Sequence, residues 1–324
     1  MKHLRKPNAE KPHGIDRCAV IGAGTIGTGW ATFFASKGLD VALFDADAGT
    51  AHAAVDVVGG HLRFLREHDL LAVESADAAL NKLRIATDVE DAVRDVQLVQ
   101  EAVFESYEAK RAVFRALDRA APAGVVLASS SSGLLMSEIQ NATEAHPERC
   151  LIAHPIHPVY LIPLVELVPG ERTAPEVMEQ ARAFYEGLGK VPVTLRKEVP
   201  GYLENRLTAA LWREAIDLVE RGVASVEDVD RAIWAGPGLR YALMGPLLIY
   251  HLAGGQGGVR RVIEHLGPAV SEWWKDMRTW TEIPPGAVDA LEAGLEEAMD
   301  GRSIEEVAAW RDGALVDLIK LLGR

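Results

Sequence analysis

Two histidines and one glutamate near the middle of the chain are of a kind that can carry proton chemistry. The segment Ala153-His154-Pro155-Ile156-His157-Pro158 sets imidazoles among prolines, which exclude a continuing helix and hold the backbone extended at a strand end. Histidine titrates near neutrality, so it suits removal of a hydroxyl proton from a secondary alcohol while hydride leaves the same carbon. Such a base needs an anionic neighbour to fix its tautomer and stabilise the imidazolium. Glu166, a lone carboxylate inside the apolar run LVELV, is the candidate. From these residues alone, a satisfied structural histidine and an edge-strand glutamate read equally well.

A second group of residues could hold phosphate. Gly22-Ala23-Gly24-Thr25-Ile26-Gly27 follows the apolar strand pattern CAVI and opens the helical pattern TGWATFFASKG. At such a strand-to-helix turn, glycines let a pyrophosphate approach backbone N–H groups at a helix N-terminus. The next strand pattern, VALFD, ends in Asp45, 21 positions after Gly24, where a carboxylate can accept bonds from ribose hydroxyls and repel a 2′-phosphate. The combination points to NAD rather than NADP. A plain glycine-rich turn with a solvated Asp45 fits the ordered run of strand, loop, helix, strand and acid less well.

These residues have to be held by a scaffold, and the pattern around them supplies one. From Cys18 to about Glu198 the short runs CAVIG, VALFD, VQLVQEAV, VVLASS, CLIAH, LVELV and VPVTL alternate with Ala-rich amphipathic stretches. That alternation predicts an α/β domain, a Rossmann-type doubly wound, mostly parallel sheet over residues 15–198, whose ligand sites lie at strand ends. After Val199-Pro200-Gly201 the strand patterns stop, and NRLTAALWREAIDLVERGV begins an all-α remainder over 199–324. Residues 1–14, basic and without an apolar run behind them, read as a flexible tail.

The composition agrees with two globular domains binding a small ligand. The chain has 324 residues, and roughly 150 per domain suggests two. Hydrophobic residues at 48% and charged residues at 25% disfavour disorder and a coiled coil. Lys+Arg of 34 against Asp+Glu of 47 gives a net charge of −13, which argues against a nucleic-acid partner or an anionic membrane surface. Nowhere do about 18 apolar residues run together as a membrane span needs. The two cysteines, Cys18 and Cys150, lie in buried-strand patterns, so no disulfide framework and no thiolate metal site are expected, and a reducing, cytoplasmic setting fits.

The runs GAGTIG, EAVFESYEAK, SSSSGL, HPIHPVYLIPLVELV and GYLENRL together resemble the 3-hydroxyacyl-CoA dehydrogenase superfamily, over nearly the whole chain. The resemblance implies that His154 and Glu166, twelve residues apart, are a catalytic dyad. It implies that Ser132 and Asn205 hydrogen-bond the reacting oxygen, and that Glu105 and Lys110 lie near the cofactor. One departure stands out: His157 occupies a position where the family has asparagine.

Two short-substrate branches of the superfamily share PVYLIPLVELVP, one acting on sugar acids such as L-gulonate and one on carnitine. The stretches ALWREAIDLVERGVAS, AGPGLRYALMGPLLIYHLAGGQGG and GRSIEEVAAWRD are similar to the carnitine branch. The implied substrate is a small zwitterion. Its trimethylammonium has no N–H donor and would be recognised by aromatic faces, for which Tyr160, Trp212, Trp234, Tyr241 and Tyr250 are candidates. Its carboxylate would take a guanidinium, Arg240 or Arg206. The competing readings are another 3-hydroxy acid, a hydroxyacyl-CoA, or an NAD-binding structural protein without turnover. The apolar helical half is expected to form a homodimer.

Overall fold

All seven apolar runs become strands in the computed structural model, which describes residues 15–323. The expected tail at 1–14 lies outside the described residues. Strands β1 (Arg17–Ile21), β2 (Asp40–Phe44), β3 (Leu83–Ile85), β4 (Leu98–Glu101), β5 (Val126–Ser129), β6 (Cys150–Pro155), β7 (Leu164–Pro169) and β8 (Val191–Thr194) form one sheet in the order 3-2-1-4-5-6-7-8. β3 is the strand that the apolar runs do not announce: three residues, at the sheet edge beside β2.

The strands pair in parallel except β6 with β7, which run antiparallel. The antiparallel step follows from the short, proline-bearing link between them, since a parallel crossover needs a dozen or more residues. Its register places His154 directly opposite Glu166.

Helices cover both faces, as a doubly wound sheet requires. On one side α1 (Thr25–Ser36), α2 (Ala48–Glu67), α3 (Ala76–Leu80) and a later helix over Pro175–Gly187 bury Trp30, Phe34, Leu62 and Phe184 against the strands. On the other, α4 (Val89–Val93), α5 (Tyr107–Ala120) and α6 (Met136–Gln140) bury Val93, Phe114, Leu117 and Ile139. Serine and aspartate caps begin several of them: Ser106 Oγ accepts the Ala109 N–H at the start of α5, and Asp47 accepts from Gly49 and Thr50 at the start of α2. The Pro175–Gly187 helix is α7, and α8 spans Glu204–Glu220.

The rest of the chain is helical: α9 (Val226–Trp234), α10 (Pro237–Tyr241), α11 (Pro246–Ala253), α12 (Gly258–Asp276), α13 (Ala287–Met299) and α14 (Ile304–Leu322). The strand patterns end near residue 198, whereas the compact division falls between Asn205 and Arg206, and the segment from Leu315 belongs with the first unit. Val316 and Ile319 of that segment pack in the core beside α1 and α2. Among the described residues no helix is long and apolar enough to cross a membrane.

Candidate active site

Strand register, then hydrogen bonding, brings His154 and Glu166 together. His154 Nδ1 lies 2.8 Å from Glu166 Oε2, and both side chains are buried, at 6% and 1% exposure. A carboxylate only accepts, so the contact places the hydrogen on Nδ1 and leaves the Nε2 lone pair available to take a proton. Glu166 Oε1 accepts the N–H groups of Leu203 and Glu204, each at 2.9 Å, at the start of α8. Burial opposes charge on Glu166, but the bonds from His154, Glu204 and Leu203 and the proximity of His154 outweigh it and hold the carboxyl below its ordinary value. The ring of Tyr202 packs edge-on to His154, 5.6 Å between centroids.

Asn205, one residue into α8, donates from Nδ2 to the Ser132 carbonyl at 2.6 Å. The two expected oxygen-binding residues therefore meet, through the backbone of Ser132. The amide has a second N–H to offer. Glu105 Oε1 holds the Ser132 loop from the other side, accepting the Ser131 hydroxyl at 2.6 Å, the Ser132 N–H at 2.8 Å and the Gly133 N–H at 3.2 Å. Lys110, only 1% exposed, reaches Glu105 at 3.3 Å and Glu101 at 2.9 Å.

Reading the sequence did not find Glu101, and it passed over three of the four serines. Glu101 ends β4, is fully buried, and takes the Ser129 hydroxyl at 2.5 Å. Burial pushes its carboxyl up, against the pull of Lys110 and the bonds from Ser129, Lys110 and Val103. Ser130 accepts from Trp30 Nε1 at 3.1 Å and Gln100 Nε2 at 2.7 Å, while Ser131 and Ser132 share Glu105. A polar residue ending each of two adjacent buried strands, Glu101 and Ser129, was the available signal.

The phosphate loop has the geometry its glycines require. Gly22 sits at φ +103°, and a Cβ there would lie 2.6 Å from the Ala102 carbonyl; one on Gly27 would lie 1.8 Å from the Gly22 carbonyl. Around Gly24 a Cβ would meet nothing within 4 Å, so this face of the loop is open. The first turn of α1 carries no acid to compete with an anion. Asp45 accepts the Ala23 N–H at 2.8 Å and the Asp47 N–H at 3.0 Å, which ties the second strand's carboxylate to the loop. A cleft of about 700 Å³ runs past Gly22, Gly24, Thr25, Asp45, Val103 and Phe104. These residues fit a dinucleotide, with pyrophosphate at Gly24 to Ile26 and adenosine ribose at Asp45.

The remaining expected residues fall in two places. The Tyr160 ring lies 4.4 Å from that of His61, tilted by 30°, and lines, with His157, a cavity of about 350 Å³ between the glycine loop and α2. Arg206, Trp212, Trp234, Arg240, Tyr241 and Tyr250 belong to the second unit, where all are exposed.

With this geometry in hand, comparison with known proteins gives the class. Residues 17–199 match the NAD-binding domain of 3-hydroxyacyl-CoA dehydrogenase and residues 201–289 match its C-terminal domain. The chain belongs to the 3-hydroxyacyl-CoA dehydrogenase family and is an NAD-dependent dehydrogenase. Among individual relatives, it is 41% identical to an L-carnitine dehydrogenase of Streptomyces griseus, covering 97% of this chain and 92% of that one. It is 39% identical to an L-carnitine dehydrogenase of Oceanobacillus iheyensis, covering 95% and 98%. The crystal structure of an NAD-dependent 5-formyl-3-hydroxy-2-methylpyridine-4-carboxylic acid 5-dehydrogenase superposes with a TM-score of 0.82 at 28% identity, covering 95% and 99%.

Proposed function

We propose that this enzyme oxidises carnitine at its 3-hydroxyl to 3-dehydrocarnitine. The observation that carries the proposal is the likeness to L-carnitine dehydrogenases along 97% of the chain, in both the strand-bearing and the helical parts. NAD, when bound, accepts the hydride from the substrate carbon. His154 takes the hydroxyl proton on Nε2, and Glu166 fixes the ring and stabilises the imidazolium that results. Asn205, held on the Ser132 carbonyl, offers its second amide N–H to the reacting oxygen, beside the Ser132 hydroxyl. Arg240 or Arg206 takes the substrate carboxylate, and the aromatic candidates Tyr160, Trp234 and Tyr241 take the trimethylammonium.

A panel of L-carnitine, D-carnitine, L-gulonate and 3-hydroxybutyryl-CoA, followed at the NADH absorbance band, tests the proposal. Turnover of either carnitine well above the others is expected. Preference for gulonate or the thioester would overturn the substrate while leaving the dehydrogenase class intact.

We propose further that the enzyme is a cytoplasmic homodimer joined through its helical part. Trp212, Trp273, Trp274 and Trp310 are each more than half exposed in the single chain, which is more large apolar surface than a monomer commonly leaves in water. The free, buried cysteines accord with a reducing compartment. Light scattering should report about twice 35.1 kDa.

A further inference from the structure

We infer that Glu101, a residue no ligand can reach, is a positioning residue for the oxygen-binding pair: its carboxylate fixes the loop over Ser129 to Gly133 and, through it, Asn205. This rests on the reading above, in which Asn205 and Ser132 hold the reacting oxygen.

Two separate routes lead from Glu101 to that loop. Along the first, Oε2 accepts the Ser129 hydroxyl at 2.5 Å, and Ser129 Oγ in turn accepts the Ser131 N–H at 3.2 Å. Along the second, Lys110 Nζ lies 2.9 and 3.2 Å from the two oxygens of Glu101 and 3.3 Å from both the Val103 carbonyl and Glu105 Oε2. The ammonium donates to Glu101 and to the Val103 carbonyl, and Glu105 adds a second carboxylate in ion-pair contact. Glu105 then receives Ser131, Ser132 and Gly133 as described. The routes converge on Ser131, which gives its hydroxyl to Glu105 and its N–H to Ser129.

Glu101 is 0% exposed and Lys110 1%, so neither charge is supported by water. A buried carboxylate and ammonium persist only with close partners on every side, and that requirement makes the arrangement stiff. Val103 N–H, at 2.6 Å from Glu101 Oε1, completes the set. The Ser132 carbonyl is thereby fixed from below, while Glu166 fixes the start of α8 through Leu203 and Glu204. Asn205 spans the two, so its free N–H is aimed by Glu101 on one side and Glu166 on the other. A displacement on the order of 1 Å at such a group costs about a hundredfold in rate.

The test uses Glu101→Gln alone and together with Lys110→Met. The double variant removes both buried charges at once, which secures folding where Lys110→Met alone would strand a carboxylate. Carnitine turnover, NADH binding by fluorescence, and hydrogen exchange at the Ser132 and Gly133 amides are measured on each. We expect kcat to fall about 10-fold to 100-fold and the two amides to exchange at least about 10-fold faster in both variants, and the NADH Kd to stay within about 2-fold in Glu101→Gln, which leaves the cofactor-side Lys110 in place. In an Asn205→Ala background the same changes should add less than about 2-fold, because they act through that side chain. Unaltered amide exchange, an effect confined to the NADH Kd, or full additivity with Asn205→Ala would overturn the inference. If Asn205→Ala itself leaves kcat unchanged, the oxygen-binding reading fails, and the amide exchange alone decides whether Glu101 holds the loop.

Discussion

His154 and Glu166 are separated by twelve residues in sequence and by nothing across the sheet: they are register partners on the antiparallel pair β6 and β7, joined by a 2.8 Å contact. The reversal after β6 creates this relationship. Had the chain crossed over to a parallel neighbour, the carboxylate that follows the histidine so closely could not have reached it. Glu166 also accepts the first N–H groups of α8, so one carboxylate holds both the His154 ring and the helix that carries Asn205.

Glu166→Gln should therefore lose more than a charge. An amide that keeps its oxygen on Leu203 and Glu204 turns its NH2 toward His154 Nδ1, which must then accept and move its hydrogen to Nε2, the atom needed as base. We expect kcat to fall about 10²-fold to 10⁴-fold. Stability should change with pH as well. The folded carboxyl is held below its ordinary value of 4.5, so its contribution is complete above that value and is lost as pH falls through the lower folded one. Urea unfolding from pH 7 to pH 3 should show a shallower acid loss in Glu166→Gln; an identical acid limb would contradict the assignment.

The two histidines should separate cleanly. His154→Asn removes the proton acceptor and should lower kcat by about 10²-fold to 10⁴-fold, with NADH binding retained. His157 lies beyond the end of β6 and lines the cavity with Tyr160, and His157→Asn, which restores the family's residue, should remain active. Steady-state kinetics on both decides the matter: an active His154→Asn beside an inactive His157→Asn would show that His157, not His154, takes the proton.

The parts of this arrangement that were legible in the sequence are those with local causes. Strand β1, the glycine loop and Asp45 announce themselves because turn chemistry and apolar runs are properties of neighbouring residues. His154 and Glu166 each stand out, as an imidazole before a proline and as an acid within an apolar strand, but from the residues alone their pairing is one of two equal readings and the family resemblance favours it, since register is set by the whole sheet. Glu101 stayed hidden because nothing beside it in the run VQLVQEAV marks a partner; α5 brings Lys110 to it, and both are buried. The three-residue β3 has no pattern of its own and exists because the edge of β2 offers it a partner.

Cofactor choice should depend on Asp45. In the wild type kcat/KM with NAD should exceed that with NADP, since a 2′-phosphate would meet the carboxylate. Asp45 also holds Ala23 and Asp47, so truncation would loosen the loop and confuse the result. Asp45→Asn removes the charge and keeps one acceptor oxygen, enough for the Ala23 N–H but not for the Asp47 N–H as well; it should narrow the NAD preference by about 10-fold, the size of a charge-assisted hydrogen bond. Equal use of both cofactors by the wild type would sink the role given to Asp45.

A buried lysine behind the active-site segment should make stability rise with alkaline pH. Lys190, 4% exposed, donates to the Val159 carbonyl at 2.5 Å and the Ile162 carbonyl at 2.8 Å, clamping the segment that bears Tyr160. Its ammonium lies 4.4 Å over the ring of Phe33 and 5.2 Å over that of Trp30. Burial first, and the like charge of Lys37 second, push its pKa down to about 7 from 10.5. Below about pH 7 both folded and unfolded chains carry the proton, and the full cost of burying the charge is present. Between that value and 10.5 the unfolded chain holds a proton that the folded chain has released, so stability rises with pH, by at most about 1.4 kcal/mol per unit. A neutral amine still has two hydrogens for its two carbonyl partners, so the clamp survives deprotonation. Lys190→Met abolishes the titration and leaves both carbonyls without their donor. The stability of the wild type relative to Lys190→Met, taken from urea unfolding at pH 6.5, 8 and 9.5, should increase across that series. Comparing the two proteins at each pH cancels the other groups that titrate there, and a difference that stays flat would show that Lys190 keeps its proton throughout.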